Sequence, residues 1–326
     1  MTDDGVVAAI DQGTTGTRCI LFDRTGTIHG QAYRAHEQYY PRDGWVEHDP
    51  IEILDNTKTV VRDALEEAGI NPAGLATIGI TNQRETTVAW DAETGEPADN
   101  AIVWQDRRTA DRVDELRDGG LADGIRQTTG LEVDAYFSAT KMEWLLDSED
   151  RRSRARADDL LLGTVDSWLL WNLTGRHATD VTNAARTMLF DIHDCDWDDD
   201  LLAEFGIPEN ALPAVHPSIH PTAYGRTDPD GFLDVAIPVT GVLGDQQAAL
   251  FGQTCVEPGE AKTTYGTGSF VLMNTGTEPV ESQHGLLTTI GYQRGEGPVH
   301  YALEGAIFVT GAAIEWLADV GLIDTP

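Results

Sequence analysis

The chain has 326 residues, a length typical of about two domains, and its 40% hydrophobic content is ordinary for a folded globular protein. It carries 22 Lys and Arg against 55 Asp and Glu, so the formal net charge is −33. This charge argues against nucleic acid and anionic membrane surfaces as partners, and an acidic folded surface is typical of proteins from salt-accumulating halophiles.

The N-terminus is the first segment to interpret. Residues 1–5, Met-Thr-Asp-Asp-Gly, are acidic and have neither the basic start nor the apolar run of a signal peptide. The sequence contains no apolar stretch of about 18 residues. These features predict a cytoplasmic protein that does not insert stably into a membrane.

The next residues predict three strands. Residues 6–10 are continuously apolar, 18–22 form a return strand, and 28–33 form a third strand after a turn. A helix then begins with Asp49 as N-cap and Pro50 at its first position, with Glu52 placed to reach back to the cap, and ends at Gly69. Strands at 75–81 and 86–90 follow. An antiparallel meander followed by alternating helix and strand indicates a ribonuclease H-like α/β domain.

The turn at residues 11–18, Asp-Gln-Gly-Thr-Thr-Gly-Thr-Arg, is the first candidate phosphate loop. Its glycines let backbone N–H groups approach phosphate oxygens, Thr14 and Thr15 add hydroxyl donors, and Arg18 adds a fixed positive charge. Asp11 at the strand end could hold Mg²⁺ through water. The simpler interpretation is an ordinary hairpin turn, but the flanking Asp and Arg favour phosphate binding.

A second domain is predicted to start near residue 253, because strand, Gly-rich turn and apolar strand recur there. Residues 264–268, Thr-Tyr-Gly-Thr-Gly, form the turn, and residues 306–320 are predicted to form a helix. The turn alone is weak evidence, but paired with the first it suggests two phosphate loops facing each other across a cleft. We therefore expect domains at 1–252 and 253–326.

Three further segments carry candidate site residues. Asp245 stands where a helix begins, so its carboxylate could accept a hydroxyl proton, although most such residues only cap helices. Arg84 and Glu85 could bind a small polyol or form a surface ion pair. Trp104 and Tyr136 could contact a polyol or simply pack in the core.

Seven segments together resemble the glycerol kinases of the FGGY carbohydrate kinase family, and the likeness runs over essentially the whole chain. Within that family, Asn-Gln-Arg-Glu-Thr at 82–86 is specific to glycerol kinases; xylulose and ribulose kinases differ there. The segments are residues 11–15, 44–50, 81–87, 101–105, 186–190, 244–253 and 264–268.

This resemblance implies an actin-like ATPase fold with ATP, Mg²⁺ and glycerol in a cleft between two domains. Asp245 would be the general base, Asp11 would lie near Mg²⁺, and Glu315 stands at a nucleotide position where the relatives usually have Gln. The residues implied to bind glycerol are Arg84, Glu85, Trp104, Tyr136, Asp245, Gln246 and Phe270. Those implied to bind the nucleotide and its phosphates are Thr14, Thr15, Gly16, Arg18, Thr267, Gly268, Gly311 and Glu315.

The resemblance also predicts that the second domain is incomplete, because such kinases continue for well over a hundred residues beyond residue 326. Two alternatives stay open at this point. The substrate could be another polyol or a sugar, which residues 82–85 disfavour, or the chain could be a non-catalytic polyol-binding fragment. The sequence leaves open whether the chain forms a homo-oligomer.

Overall fold

The computed structural model describes residues 5–266 and 268–323, apart from the side chains of residues 312, 315 and 319. The predicted α/β class is confirmed: sheets of mixed and antiparallel strands are covered by helices. The strands are β1 (Val6–Gln12), β2 (Gly16–Phe22), β3 (Ile28–Ala35), β4 (Glu47–His48), β5 (Leu75–Asn82), β6 (Thr87–Asp91), β7 (Ala101–Ile102), β8 (Leu160–Thr164), β9 (Ala178–Asp180), β10 (Phe190–Asp191), β11 (Asp196–Trp197), β12 (Ala214–His216), β13 (Val239–Gly244), β14 (Ala261–Tyr265), β15 (Ser269–Gly276), β16 (Leu287–Gln293) and β17 (Val299–Ile307). The helices are α1 (Pro50–Ala68), α2 (Ala110–Asp118), α3 (Ala122–Thr129), α4 (Ser138–Leu145), α5 (Glu149–Arg156), α6 (Val165–Thr174), α7 (Val181–Ala184), α8 (Asp199–Phe205), α9 (Asp245–Gly252) and α10 (Gly311–Asp319).

A five-stranded sheet in the order β13-β5-β1-β2-β3 forms the centre of the first part of the chain. Strands β1, β2 and β3 are the predicted antiparallel meander, while β5 runs parallel to β1 and β13 runs parallel to β5. The register aligns Gln12 with Asn82 and Asn82 with Gly244. The carboxyl ends of three parallel strands therefore meet at one edge, which is where open α/β sheets bind ligands.

Helix α1 covers this sheet and packs against β2 and β3. Asp49 caps it as predicted, because its Oδ1 accepts from the Ile51 N–H at 2.8 Å, and Gly69 ends it with φ of 63°. The expected return contact from Glu52 to the cap is wrong. Its Oε2 accepts instead from the Glu37 N–H at 3.1 Å, so this carboxylate anchors the loop after β3.

The second sheet has four strands in the order β14-β15-β17-β16 and is entirely antiparallel. The predicted helix at 306–320 begins too early: β17 continues to Ile307, and α10 starts at Gly311. The mostly apolar residues 302–307 are compatible with either a helix or a strand. Their pairing with β15 makes them a strand. Phe270, Leu272 and Ala302 pack in one core with Leu250, Trp104 and many other residues before 253.

A third sheet, in the order β4-β7-β6-β8, carries the segment that follows β7 towards the cleft. Trp104 lies two residues after β7, and Tyr136 lies two residues before α4; both side chains are largely buried. Among residues 5–266 and 268–323, no helix is both long and apolar enough to cross a membrane.

Candidate active site

A cleft of about 190 Å³ opens at the edge where β1, β5 and β13 end, and the second sheet forms its opposite wall. The structure brings most of the predicted site residues together around it. Its lining residues are Thr14, Thr15, Gln83, Arg84, Glu85, Trp104, Tyr136, Asp245, Gln246, Thr264, Gly266, Gly268 and Phe270.

The first Gly/Thr turn joins β1 to β2 at the cleft and is closed by the Gly13 N–H, which donates to the Gly16 carbonyl at 2.9 Å. Thr14 and Thr15 line the cleft, whereas Gly16 is buried beneath β3. A Cβ on Gly16 would lie 2.5 Å from the Arg34 carbonyl oxygen. Glycine is therefore required here by strand packing, whatever the loop binds.

Asp11 and Arg18 lie at the base of this turn as a cross-strand pair, and neither is among the cleft-lining residues. Burial raises the pKa of Asp11, and the charge of Arg18 opposes that rise. The Arg18 guanidinium lies over the Tyr33 ring, 5.5 Å from its centroid. Arg18 thus places a positive charge beside Asp11, at the base of the turn that carries Thr14 and Thr15.

The second Gly/Thr turn joins β14 to β15, with the Gly266 N–H donating to the Gly268 carbonyl at 2.9 Å. Gly311 at the start of α10 donates its N–H to the Gly266 carbonyl at 2.9 Å, so Gly311 does lie against this turn. A Cβ on Gly268 would lie 2.9 Å from the Ile307 carbonyl oxygen. Two other predicted nucleotide contacts, Thr267 and the side chain of Glu315, fall outside the described parts of the chain.

Arg84 and Glu85 occupy the tight turn between β5 and β6, and both are 2% exposed. Glu85 adopts a left-handed conformation with φ of 62°, which is uncommon for a residue with a side chain and typical of functional sites. The stem of Arg84 crosses Gly244, where a Cβ would lie 2.7 Å from the Arg84 Cγ and Cδ atoms. Because Gly244 has no side chain, the Arg84 side chain can pass directly over it.

The Arg84 guanidinium connects the polar groups of the cleft. Its Nη2 donates to the Tyr136 hydroxyl at 3.2 Å, and its Nε lies 3.4 Å from Asp245 Oδ1. Burial opposes the charge on Arg84, but the surrounding carboxylates hold its pKa well above the usual range. The sequence left a surface ion pair as an alternative, and burial of Arg84 and Glu85 contradicts it.

Asp245 is the first residue of α9, and the N-cap position belongs to Gly244. Its Oδ1 accepts from the Gln246 N–H at 2.7 Å, and its Oδ2 accepts from Gln246 Nε2 at 3.1 Å. Burial raises the pKa of Asp245, whereas Arg84 and these hydrogen bonds lower it. The side chain remains 35% exposed, so this carboxylate can meet a ligand in the cleft.

The apolar wall of the cleft consists of Trp104, Tyr136 and Phe270. The Trp104 ring makes edge contacts with the other two, with centroids 5.7 Å and 6.3 Å away. Trp104 Nε1 donates to the Thr14 hydroxyl at 2.9 Å and so joins this wall to the first turn. Trp104 and Tyr136 both belong to the hydrophobic core, as their packing interpretation requires. Both also line the cleft, and contact of these rings with a polyol stays a prediction.

Two functional candidates were missed by sequence reasoning. Glu304 on β17 is 1% exposed; its Oε2 accepts from Arg84 Nη1 at 2.7 Å and its Oε1 from Arg84 Nη2 at 2.8 Å. Arg186 donates its Nε to Glu85 Oε1 at 2.7 Å and its Nη2 to Glu304 Oε1 at 3.2 Å. Arg186 lies in a segment that carried the family resemblance, whereas Glu304 gave no signal beyond a lone acid in an apolar strand.

The residues present suit a hydrated divalent cation near Asp11 and Asp245. Burial is the main cause of the raised pKa of Asp245, and the negative charge of Asp11 adds to the rise; a cation near the two carboxylates would relieve the repulsion between them. Within the described residues, no cluster of three or more His, Cys, Asp or Glu side chains could enclose a metal by itself. This donor set matches Mg²⁺, which retains water and binds through few carboxylates and substrate phosphates.

Comparison with known proteins gives matches along most of the chain. Residues 6–252 match the N-terminal domain of the FGGY family of carbohydrate kinases, and residues 261–323 match its C-terminal domain. Glycerol kinase from Halobacterium salinarum is 62% identical over 98% of this chain, and that from Haloferax volcanii is 61% identical over 99%. The chain spans 65% and 66% of the lengths of those two halophilic relatives.

Solved structures are similar in fold. The Plasmodium falciparum glycerol kinase with ADP superposes with a TM-score of 0.91 at 37% identity, covering 98% of this chain and 64% of that protein. The ligand-bound xylulose kinase from Lactobacillus acidophilus gives a TM-score of 0.83 at 20% identity, covering 98% of this chain and 64% of its own. The second likeness shows the fold alone, and together they confirm the predicted fold class.

Proposed function

This chain belongs to the FGGY family of carbohydrate kinases, and from that premise we propose that it transfers the γ-phosphoryl group of ATP to a terminal hydroxyl of glycerol. The products are sn-glycerol 3-phosphate and ADP. We assign residues 1–252 to the domain that binds glycerol and phosphate and 253–326 to the start of the nucleotide-side domain. The chain spans 65% of the length of relatives such as the Halobacterium salinarum enzyme, so the activity of the whole protein is stated here as a proposal.

One observation carries the proposal: Arg84, Tyr136 and Asp245 converge on a cleft that is walled by Trp104 and bordered by both Gly/Thr turns. A polyol needs paired donors and acceptors for its hydroxyls and an apolar surface for its carbon chain. The cleft volume of about 190 Å³ suits a small polyol at the inner end and phosphate groups at the turns.

In this mechanism Asp245 takes the proton of the attacking hydroxyl. The hydroxyl oxygen forms a bond to the γ-phosphorus as the bond from that phosphorus to the β,γ-bridging oxygen breaks in line. Arg84 and Tyr136 orient the polyol, while Trp104 and Phe270 exclude water from its carbon face. When bound, Mg²⁺ would neutralise phosphate charge beside Asp11.

The phosphate contacts are assigned to the two turns. Thr14, Thr15 and Gly268 line the cleft where phosphate groups would enter it, and Gly311 abuts the second turn. Arg18 adds long-range positive charge from the neighbouring strand. Gly16, Thr267 and Glu315 keep their proposed nucleotide roles from the family resemblance alone.

The experiment measures glycerol binding by calorimetry and phosphorylation of glycerol with radiolabelled ATP, both in concentrated KCl. Asp245→Asn preserves shape but removes the proton acceptor, so turnover should fall at least roughly 100-fold while glycerol binding persists in part. A panel of glycerol, erythritol, xylitol and gluconate tests the substrate. Preference for another member of the panel would replace glycerol as the proposed substrate. Glycerol binding without turnover in the parent chain would favour the alternative of a non-catalytic polyol-binding fragment.

A further inference from the structure

His36 is a buried imidazole directly behind the first Gly/Thr turn. It follows the last residue of β3, is 8% exposed, and is not among the residues that line the cleft. Its Nε2 donates to the Thr14 carbonyl oxygen at 2.9 Å. Its Nδ1 is buried without a hydrogen-bond partner in the described parts of the chain. Such a nitrogen costs folding energy, so histidine at this position calls for an explanation.

The hydrogen bond from His36 fixes the direction of the peptide group between Thr14 and Thr15. A carbonyl oxygen only accepts, so Nε2 carries the proton. In a trans peptide the N–H points opposite to the carbonyl, and no described peptide bond is cis. Because the Thr14 carbonyl is drawn towards buried His36, the Thr15 N–H points to the opposite side, where both threonines line the cleft. Within residues 5–266 and 268–323, this N–H donates to no other group.

The next peptide group is held in the same way. The Thr15 carbonyl accepts from the main-chain N–H of His36 at 3.3 Å and from the Tyr33 hydroxyl at 3.3 Å. The fully buried His48 packs edge-on against the His36 ring, with centroids 4.4 Å apart, and so restricts its rotation. Successive peptides whose carbonyls are tied back turn their N–H groups to one side, which is the arrangement of backbone anion sites.

We propose that His36 is a positioning residue that holds the Thr14–Thr15 peptide so that the Thr15 N–H donates to a phosphate oxygen in the cleft. The inference rests on the proposed function, in which the first Gly/Thr turn binds phosphate groups of ATP. Without the imidazole donor, this peptide can rotate, and a carbonyl turned into the cleft would repel phosphate oxygens. The ring of His36 thus acts on the phosphate only through the main chain.

The probe is inorganic tripolyphosphate, which offers phosphate oxygens without an adenosine group. Calorimetry in concentrated KCl without Mg²⁺ measures its affinity, so that only donors of the protein act on it. Isotope labelling of the threonine nitrogens lets NMR follow the Thr15 N–H, whose signal is assigned by its loss in Thr15→Ser. Binding to the parent chain should shift this signal, because the N–H forms a hydrogen bond to a charged oxygen.

Four chains are compared in these titrations. His36→Phe keeps a ring but removes the donor and the unpartnered Nδ1 together, so the melting temperature should change little, while tripolyphosphate binds roughly tenfold more weakly and the Thr15 shift is largely lost. His36→Gln places an amide donor near the position of Nε2 and should restore the affinity to within about threefold of the parent. His177→Phe is the matched control: His177 Nε2 donates to the Leu162 carbonyl at 2.9 Å, away from the cleft, and the variant should bind like the parent.

Three results would overturn the proposal. A purely structural role predicts a lower melting temperature with unchanged tripolyphosphate affinity and an unchanged Thr15 shift in His36→Phe. Equal weakening in His36→Phe and His36→Gln would exclude the hydrogen bond as the cause. Failure of tripolyphosphate to bind the parent chain would exclude the turn as a phosphate site. Should His36→Phe not fold, His36→Met removes the same donor with a flexible apolar side chain and carries the same expected loss.

Calorimetry with glycerol distinguishes this proposal from the proposed function. A parent chain that does not bind glycerol contradicts the proposed function, while the tripolyphosphate titrations still decide the role of His36. In a parent chain that does bind glycerol, His36→Phe should retain that affinity, because His36 contacts the turn and not the polyol end of the cleft. A loss of glycerol affinity equal to the loss of tripolyphosphate affinity would indicate a general disturbance of the cleft and overturn the positioning role.

Discussion

At the scale of single residues, Arg84 joins the two walls of the cleft. It reaches Asp245 and Tyr136 on one side, and on the other it forms a bidentate pair with Glu304 from the second sheet. Arg186 completes a buried cluster with Glu85 and the same Glu304. Although burial opposes ionisation, Arg186 and Arg84 lower the pKa of Glu304 to about 2. This charge balance is what allows two arginines to be buried together.

Removing the charge of Glu304 should therefore destabilise the fold strongly. We expect Glu304→Gln to lower the free energy of unfolding by about 3–5 kcal/mol, because two guanidinium groups lose their shared carboxylate. Urea denaturation in concentrated KCl measures the change. Asp63→Asn breaks the exposed pair with Arg34 and should cost under about 1 kcal/mol. Equal losses in the two variants would contradict the central role of Glu304.

A second residue-scale prediction concerns the buried Asp166. Burial raises its pKa to about 6, against hydrogen bonds from Thr164 and Thr179 at 2.5 and 2.6 Å. Since the folded value exceeds the ordinary 3.8, folding takes up a proton, and the associated stability is present at low pH and lost as pH rises towards 6.

Asp166→Asn should remove this dependence. Relative to the variant, the parent should lose about 2 kcal/mol of unfolding free energy between pH 4 and pH 6.5. Chemical denaturation at several pH values gives both curves, and Asp63→Asn supplies an exposed control. A constant difference between parent and Asp166→Asn across this range would show that Asp166 titrates normally.

At the scale of elements, the site depends on how closely β2 approaches β3 behind the first turn. Gly16 has no space for a methyl group, because a Cβ would lie 2.5 Å from both the Arg34 carbonyl oxygen and the Tyr33 hydroxyl. The flexible tyrosine can move, but the carbonyl belongs to the paired strand. A small change at this position must therefore displace backbone beside the proposed phosphate loop.

We expect Gly16→Ala to lower the free energy of unfolding by about 1–3 kcal/mol and to weaken ATP binding. Urea denaturation and nucleotide titration measure the two effects. Gly252→Ala is the matched control, because a Cβ there meets nothing within 4 Å at the end of α9. That variant should be neutral or slightly stabilised, and equal behaviour of the two variants would contradict the packing argument.

At the scale of the whole molecule, the net charge of −33 predicts strong repulsion between surface charges, which lowers the stability of the fold. The Debye length falls from about 10 Å at 0.1 M salt to about 3 Å at 1 M, so surface repulsion should largely disappear in concentrated salt. We expect the melting temperature to rise steeply between 0.1 M and 2 M KCl. Differential scanning fluorimetry across this series tests it, and a melting temperature independent of salt would contradict the prediction.

Equal concentrations of a zwitterionic osmolyte provide the control, because they add solute without screening charge. A similar rise in that osmolyte would attribute the stabilisation to solute exclusion from the surface. The acidic composition thus predicts how stability depends on salt concentration, and it does not predict the fold.

Local chemistry in the sequence was sufficient to predict the meander, the capped helix α1 and the identity of most cleft residues. Asp49 and Gly69 fix the ends of α1 through contacts within a few residues, which a sequence pattern can express. Local chemistry did not predict the contact of Glu52 with Glu37 or the start of α10, because both depend on partners from other elements.

The sequence by itself determined the net charge, the α/β class and the motifs that bear the candidate base and the two turns. Only the tertiary structure decided that Glu304 neutralises Arg84, 220 positions away, and that Lys262 donates to the amide oxygen of Gln246. The physical reason is that a buried charge is tolerated only where its partner lies within hydrogen-bonding distance. That distance is set by how the second sheet packs against the first, and no local pattern of residues records it.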